Sequence, residues 1–156
     1  MSIERFIRCI SSLGIWYKHI VLDKSTRTAR EAAEALGISI SRIIKTILLV
    51  DDRGRFYIAI VPGDKRVDLE KIRILTKSRI IRLANNEEIL RITGFEAGAL
   101  PPICIDGITR FFIDSEVLKN ETVLGGGGTV NSLIEIKPYD IVRASNAIVD
   151  NISEHK

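Results

Sequence analysis

Ile43-Ile44-Lys45-Thr46-Ile47-Leu48-Leu49-Val50 is an Ile/Leu/Val run broken by one cation and closed by the turn Asp51-Asp52-Arg53-Gly54. An apolar run of this length reads as a strand covered on both faces rather than one with a wet face. An ammonium left dry and unpaired there would cost several kcal/mol, so Lys45 is placed against a water-filled or ligand-filled cleft, or against a buried carboxylate. The other reading puts it among the strand's first residues, its stem over the core and its head in solvent. Beyond the turn, Arg55 to Val61 alternates and then runs apolar, so it pairs antiparallel with the Lys45 strand as a hairpin that Pro62-Gly63-Asp64 ends.

Upstream of this hairpin, Ser2 to Leu13 carries apolar residues at helical spacing and stops at Gly14. Ile15 to Leu22 is rich in aromatic and branched residues and reads as a strand. Thr28-Ala29-Arg30-Glu31 has the form of a capping box that opens an alanine-rich helix ended by Gly37. Ser39 to Arg42 supplies a short helical turn into the Lys45 strand.

Downstream, Asp68 N-caps a helix through Leu75, Arg79 to Leu83 reads as a brief strand, and Asn86 caps a helix over 87–92 closed by Gly94. Arg110 to Asp114 and Glu121 to Leu124 read as strands, Gly125 to Gly128 as a flexible turn, and Val130 to Ile136 as an alternating strand. Pro138 suits the first turn of a helix to Ala144, and 148–152 forms a terminal strand. With no internal repeat, the expectation is one mixed α/β domain over 1–156, a mixed, largely antiparallel curved sheet flanked by helices.

A chain of 156 residues, 46% hydrophobic and 28% charged, is long enough to bury a core without staples. No apolar run approaches the length of a membrane span, and charge is mixed into the first residues, unlike a signal peptide. The expected location is the cytoplasm, with no membrane partner. A net charge of +3 permits a polyanionic partner without demanding one. Glutamine is absent and Met occurs only at the start, a usage that resembles heat-adapted proteins. Cys9 and Cys104 lack metal-ligand spacing, and with only His19 and His155 beside them no zinc site is expected. Cys104, between Ile103 and Ile105, reads as a small core hydrophobe rather than a nucleophile. His19 reads as structural or surface. Arg27, Arg30 and Arg42 read as solvated surface charge, with contact to RNA as the sharper alternative.

The loop Thr93-Gly94-Phe95-Glu96-Ala97-Gly98-Ala99-Leu100-Pro101-Pro102 is the second informative stretch. Glycines four apart followed by prolines fix a backbone that can approach a ligand and aim its amides inward, as an oxyanion hole requires. A helix C-cap followed by an ordinary loop accounts for the same pattern.

Together, Lys45-Thr46 in an apolar strand, Pro62-Gly63-Asp64 with Asp68, Thr93-Gly94-Phe95 with Gly98 and Pro102, Phe112-Ile113-Asp114 and the late glycines resemble the YbaK and prolyl-tRNA synthetase insertion domain family, the aminoacyl-tRNA editing deacylases. The resemblance runs in order from about Gly14 to Ile152. It implies a free-standing, trans-acting enzyme that hydrolyses the ester of a wrong amino acid on the 3′ end of tRNA, typically alanine or cysteine on proline tRNA, with prolyl-tRNA synthetase as a possible partner.

The resemblance further implies that Lys45 holds the terminal adenosine and its phosphate, and that amides near Gly98 and Ala99 face the scissile carbonyl. Thr28, Thr46, Gly94, Phe95, Pro101, Pro102 and Asp114 are implied in substrate binding. Neither metal nor cofactor is implied, since in the resemblance no covalent nucleophile is used and a water or the substrate's own ribose hydroxyl does the work. Where family members commonly carry a second glycine and a Ser-Pro, this chain has Ala99 and Pro101, which bears on amino-acid specificity more than on the reaction. The alternative is a binding module that captures aminoacyl-tRNA or another RNA end without hydrolysis.

Overall fold

In a computed structural model describing residues 3–154, the hairpin is the centre of a five-stranded sheet. Its strands are β2 (Ile44–Asp51) and β3 (Phe56–Pro62), paired antiparallel with Lys45 opposite Val61 and Thr46 opposite Ile60. The short β4 (Ile81–Leu83) adds antiparallel to the far end of β2, while β5 (Arg110–Asp114) and β8 (Ile148–Asp150) extend the other side in parallel. A second, antiparallel sheet has the order β1-β7-β6, from β1 (Tyr17–Val21), β6 (Val123–Gly126) and β7 (Ser132–Ile136). The expected mixed sheet is thus two sheets, joined by one parallel bridge between Ile43 and Leu124.

The lack of alternation in β3 has its cause in burial on both faces. Ile58 and Ile60 point into the main core with Phe6, Ile10, Phe95, Ile113 and Ile134. Tyr57, Ala59 and Val61 point the other way, into a core shared with Ile72 and Phe112. Each fully buried large apolar side chain contributes about 1.5 to 3 kcal/mol, so neither face tolerates a polar residue.

Five α-helices flank the sheets among the described residues: α1 (Ile3–Ser12), α2 (Ala29–Leu36), α3 (Leu69–Thr76), α4 (Asn86–Thr93) and α5 (Pro138–Ser145). The expected Ser2 start of α1 and His155 lie outside the described residues. Asp68 caps α3 as expected, accepting from Lys71 N at 3.1 Å, and Gly94 ends α4 at φ 78°.

Two caps differ from expectation. Thr28 accepts from Glu31 N at 3.1 Å, but its hydroxyl donates to the Glu31 carboxylate, so the reciprocal half of a capping box is missing. The full box belongs to α4 and sits one residue earlier than Asn86. Asn85 accepts from Glu88 N at 2.8 Å, and the Glu88 carboxylate accepts from Asn85 N at 2.9 Å. The glycine run is also different: Gly125 and Gly126 are strand residues, because β6 passes directly over Leu100, leaving no room at Gly126 for a Cβ.

Cys104 is not a free core thiol. It forms a disulfide with Cys9, tying α1 to the segment that leaves the 94–102 loop. Phe6 supports the same junction, its ring edge-on to Phe95 at 6.0 Å.

Candidate functional site

Beside the Ile43–Leu124 bridge, residues of β2 and β6 line a cavity of about 210 Å³. The start of α2 and the 94–102 loop close its sides. Its floor is small and apolar, from Ala32, Ile43, Ile44, Leu100 and Leu133, with Gly125 and Gly126 giving it depth. Lys45 and Thr46 come from β2, Thr28 from the α2 cap and Gly98 from the loop. These four residues, drawn from three separate stretches of sequence, are brought together as expected of one site.

Lys45 satisfies both readings of its position: it is the second residue of β2, half-buried, and it lines the cavity. Among the described residues it forms no ion pair. Burial pushes its ammonium below the ordinary value, Asp64 opposes that fall and Arg66 adds to it. The Thr46 hydroxyl is buried with no hydrogen-bond partner. Both residues line the cavity, and a buried hydroxyl without a partner is an unfilled polar position, since such groups are ordinarily satisfied.

Gly98 is held at φ 86°, and a Cβ there would lie 2.8 Å from the Arg27 carbonyl oxygen. That is a close approach only glycine permits. Its N–H makes no hydrogen bond among the described residues, whereas the Ala99 N–H already donates to the Glu96 carbonyl at 3.0 Å. Of the two amides expected to face a substrate carbonyl, only that of Gly98 is therefore uncommitted.

The remaining expected site residues are placed around or away from the cavity. Gly94 is a helix cap, Phe95 is buried in the main core, and Pro101 and Pro102 are buried as supports, Pro102 packing beside Gly125. Asp114 does not line the cavity and is fully buried. Its Oδ2 accepts from Ile152 N, Ser153 N and Ser153 Oγ at 2.8 to 3.0 Å, and its Oδ1 accepts from Glu116 N at 2.8 Å. It clamps the C-terminal segment to β5.

His19 contacts the Gly127 carbonyl at 2.9 Å, a structural role. Thr26, which sequence reading did not consider, and Arg27, read there as surface charge with RNA contact as the alternative, line the cavity. Only the tertiary packing of 26–28 against the loop reveals them. Among the described residues, no three His, Cys, Asp or Glu side chains are grouped to hold a metal ion, and no helix is long and apolar enough to cross a membrane.

The stretch of chain that builds this cavity falls within a region similar to known proteins. The model of the aminoacyl-tRNA editing domain matches residues 23–144, and the chain belongs to that family. Among particular relatives, the structure of the hypothetical protein APE2540 superposes with a TM-score of 0.90 at 34% identity, over 96% of this chain and 99% of that one. A crystal structure described as a candidate trans-editing enzyme for prolyl tRNA synthetase superposes at 0.88 with 30% identity, over 99% of both chains. In sequence, proline–tRNA ligase of Bacillus licheniformis is 39% identical over 60% of this chain, which spans only 16% of that ligase. A protein of Enterococcus faecalis named as a candidate Cys-tRNA(Pro)/Cys-tRNA(Cys) deacylase, EbsC, is 24% identical over 76% of this chain and 73% of its own length.

Proposed function

We propose that this chain acts as a one-domain, trans-acting deacylase that hydrolyses the ester between a small noncognate amino acid and the 3′ end of a tRNA. Alanine and cysteine on proline tRNA are the first substrates to test. The observation that carries the reading is that one cavity with a small apolar lining holds both the half-buried Lys45 and Thr46, whose buried hydroxyl has no partner. Family membership and the names of the EbsC and trans-editing relatives support the same reaction class. The shared match with proline–tRNA ligases makes proline tRNA the favoured substrate and the ligase a candidate partner.

In this reading the Lys45 ammonium binds the terminal adenosine's phosphate, and the Thr46 hydroxyl binds a polar group of the aminoacyl ribose. The Gly98 N–H donates to the ester carbonyl oxygen, where negative charge grows as the tetrahedral intermediate forms. A water, which the neighbouring ribose hydroxyl can orient, attacks that carbon and gives up the proton that the departing ribose oxygen takes. The carbon–oxygen bond to the ribose breaks as that oxygen departs. An aminoacyl ester is activated, so positioning and one or two aimed donors supply much of the acceleration. The floor residues limit side-chain size, where one methylene is worth about 1 to 3 kcal/mol of discrimination.

The test is release of labelled amino acid from proline tRNA charged in turn with alanine, cysteine and proline, by wild type and Lys45→Ala. Release of a noncognate amino acid over many turnovers, lost in the variant with its melting temperature kept, is the expected result. Stability is kept because Lys45 has no ion partner to orphan. Binding of tRNA without release of any of the three would replace this reading by a capture module.

A further inference from the structure

Arg27 is a second cation at the cavity, without a role in the reaction above. Its backbone is fixed on both sides: the N–H of buried Thr26 donates to the Val130 carbonyl at 2.8 Å, and Thr28 caps α2. Its carbonyl and Cγ press against Gly98. Its side chain is 54% exposed, and the guanidinium meets the carboxylate of Glu96, 64% exposed, on the 94–102 loop at 3.4 Å. The pair therefore joins the segment before the α2 cap to the loop that carries Gly98, beside the cavity. Exposed pairs of this length are weak and readily exchanged.

The residues lining the cavity include two cations, Arg27 and Lys45, and no Asp or Glu. The N-terminus of α2 adds its partial positive charge at the same side. Glu96 is the acidic group that offsets Arg27, and it stands in solvent rather than inside the cavity.

We propose that Arg27 binds a backbone phosphate of the RNA 3′ end and that Glu96 competes with that phosphate for the guanidinium. The proposal rests on the functional reading above and adds to it a second phosphate contact and its competitor. A planar guanidinium offers two parallel donors to a phosphate, a better partner than a single solvated carboxylate oxygen at 3.4 Å. On exchange Glu96 returns to water, so no charge is stranded. When the cavity is empty, the carboxylate lowers its attraction for other anions.

The competing account is a strut that ties α2 to the loop. The two accounts differ in sign, because removing either end of a strut has the same consequence, whereas removing a phosphate ligand and removing its competitor have opposite ones. The experiment compares Arg27→Ala, Arg27→Lys, Glu96→Gln and the double variant with wild type. It measures kcat and KM on alanine-charged proline tRNA, and binding of an uncharged acceptor-stem minihelix across a salt series.

Arg27→Ala should raise KM and Kd about tenfold and reduce the salt slope by about one, with the loss falling on KM. Arg27→Lys should restore part of the binding and the slope. Glu96→Gln should lower KM and Kd, and should do nothing once Arg27 is alanine. Changes of the same direction in Arg27→Ala and Glu96→Gln, or an unchanged salt slope, would overturn the proposal. If wild type releases no amino acid, the functional reading fails, and the minihelix series still decides the Arg27 question.

Discussion

Gly98 concentrates the constraints of the site in one residue. Its positive φ disfavours any side chain, and the Arg27 carbonyl occupies the place of a Cβ. Gly98→Ala must move the loop or the 26–28 segment, and either movement displaces the single uncommitted amide. We expect at least a hundredfold loss of amino-acid release, about 3 kcal/mol, as for removal of an oxyanion donor. A stopped assay on charged tRNA measures it. Full activity in the variant would put the carbonyl elsewhere in the cavity.

Residues of this kind differ in how well a sequence announces them. Lys45 stands out because a charge within an apolar run needs an explanation, and the loop glycines because they precede prolines. Arg27 could not be told apart from Arg30 and Arg42, since its contact with Gly98 joins distant parts of the chain. Asp114 was singled out by resemblance alone, and its four hydrogen-bond donors come from the adjacent helical turn and from the C-terminal segment.

At the level of elements, the hairpin depends on a buried carboxylate at its turn. Asp51 accepts from Arg53 N and Arg55 N at 2.9 Å, from Arg55 Nε at 2.8 Å, from Tyr57 Oη at 3.0 Å and from Ser78 Oγ at 3.2 Å. Burial pushes this carboxyl up, but the hydrogen bonds from Arg55, Arg53 and Tyr57 outweigh it and hold it at about 2, below the ordinary 3.8. The folded value is the lower one, so the unfolded chain takes the proton first. The stabilisation is full above about pH 3.8 and lost as pH falls toward 2.

Urea midpoints measured from pH 7 down to pH 2 should therefore fall steeply below pH 4 in wild type and less so in Asp51→Asn. At neutral pH the variant should lose about 2 to 4 kcal/mol, because Asn cannot accept from all five donors. Equal acid slopes would remove Asp51 from this account. The hairpin itself was legible from its apolar runs and turn, as were the caps at Thr28, Asp68 and Gly94. Cap positions shifted by one where two Asn stand in succession, because Asn85 and Asn86 are equally good caps and only the reach of Glu88 decides. The glycine run was misread because strand residues without side chains look like a turn until something is known to press on them.

Across the whole molecule, the disulfide joins residues 95 apart in sequence. By chain entropy, a cross-link of about 100 residues stabilises by about 4 to 5 kcal/mol. Adding a phosphine reductant, or replacing Cys9 by Ser, should lower the melting temperature by about 10 °C. A thiol titration confirms that the bond has opened. Identical melts with and without reductant would show that the bond contributes nothing to stability. Nothing in the spacing of the two cysteines announced the pairing, which exists only because α1 folds back across the exit of the loop.

The bond also gives the chain a topology. Residues 9 to 104 form a closed covalent ring that holds Arg27, α2, the hairpin and Gly98, while Gly125, Gly126 and Leu133 belong to the open tail beyond it. A protease cut at the exposed turn Asp52-Arg53-Gly54 opens the ring without releasing a fragment. The nicked protein remains one molecule under oxidising conditions and becomes two under reducing ones, so its integrity after cleavage depends on the redox state of its surroundings.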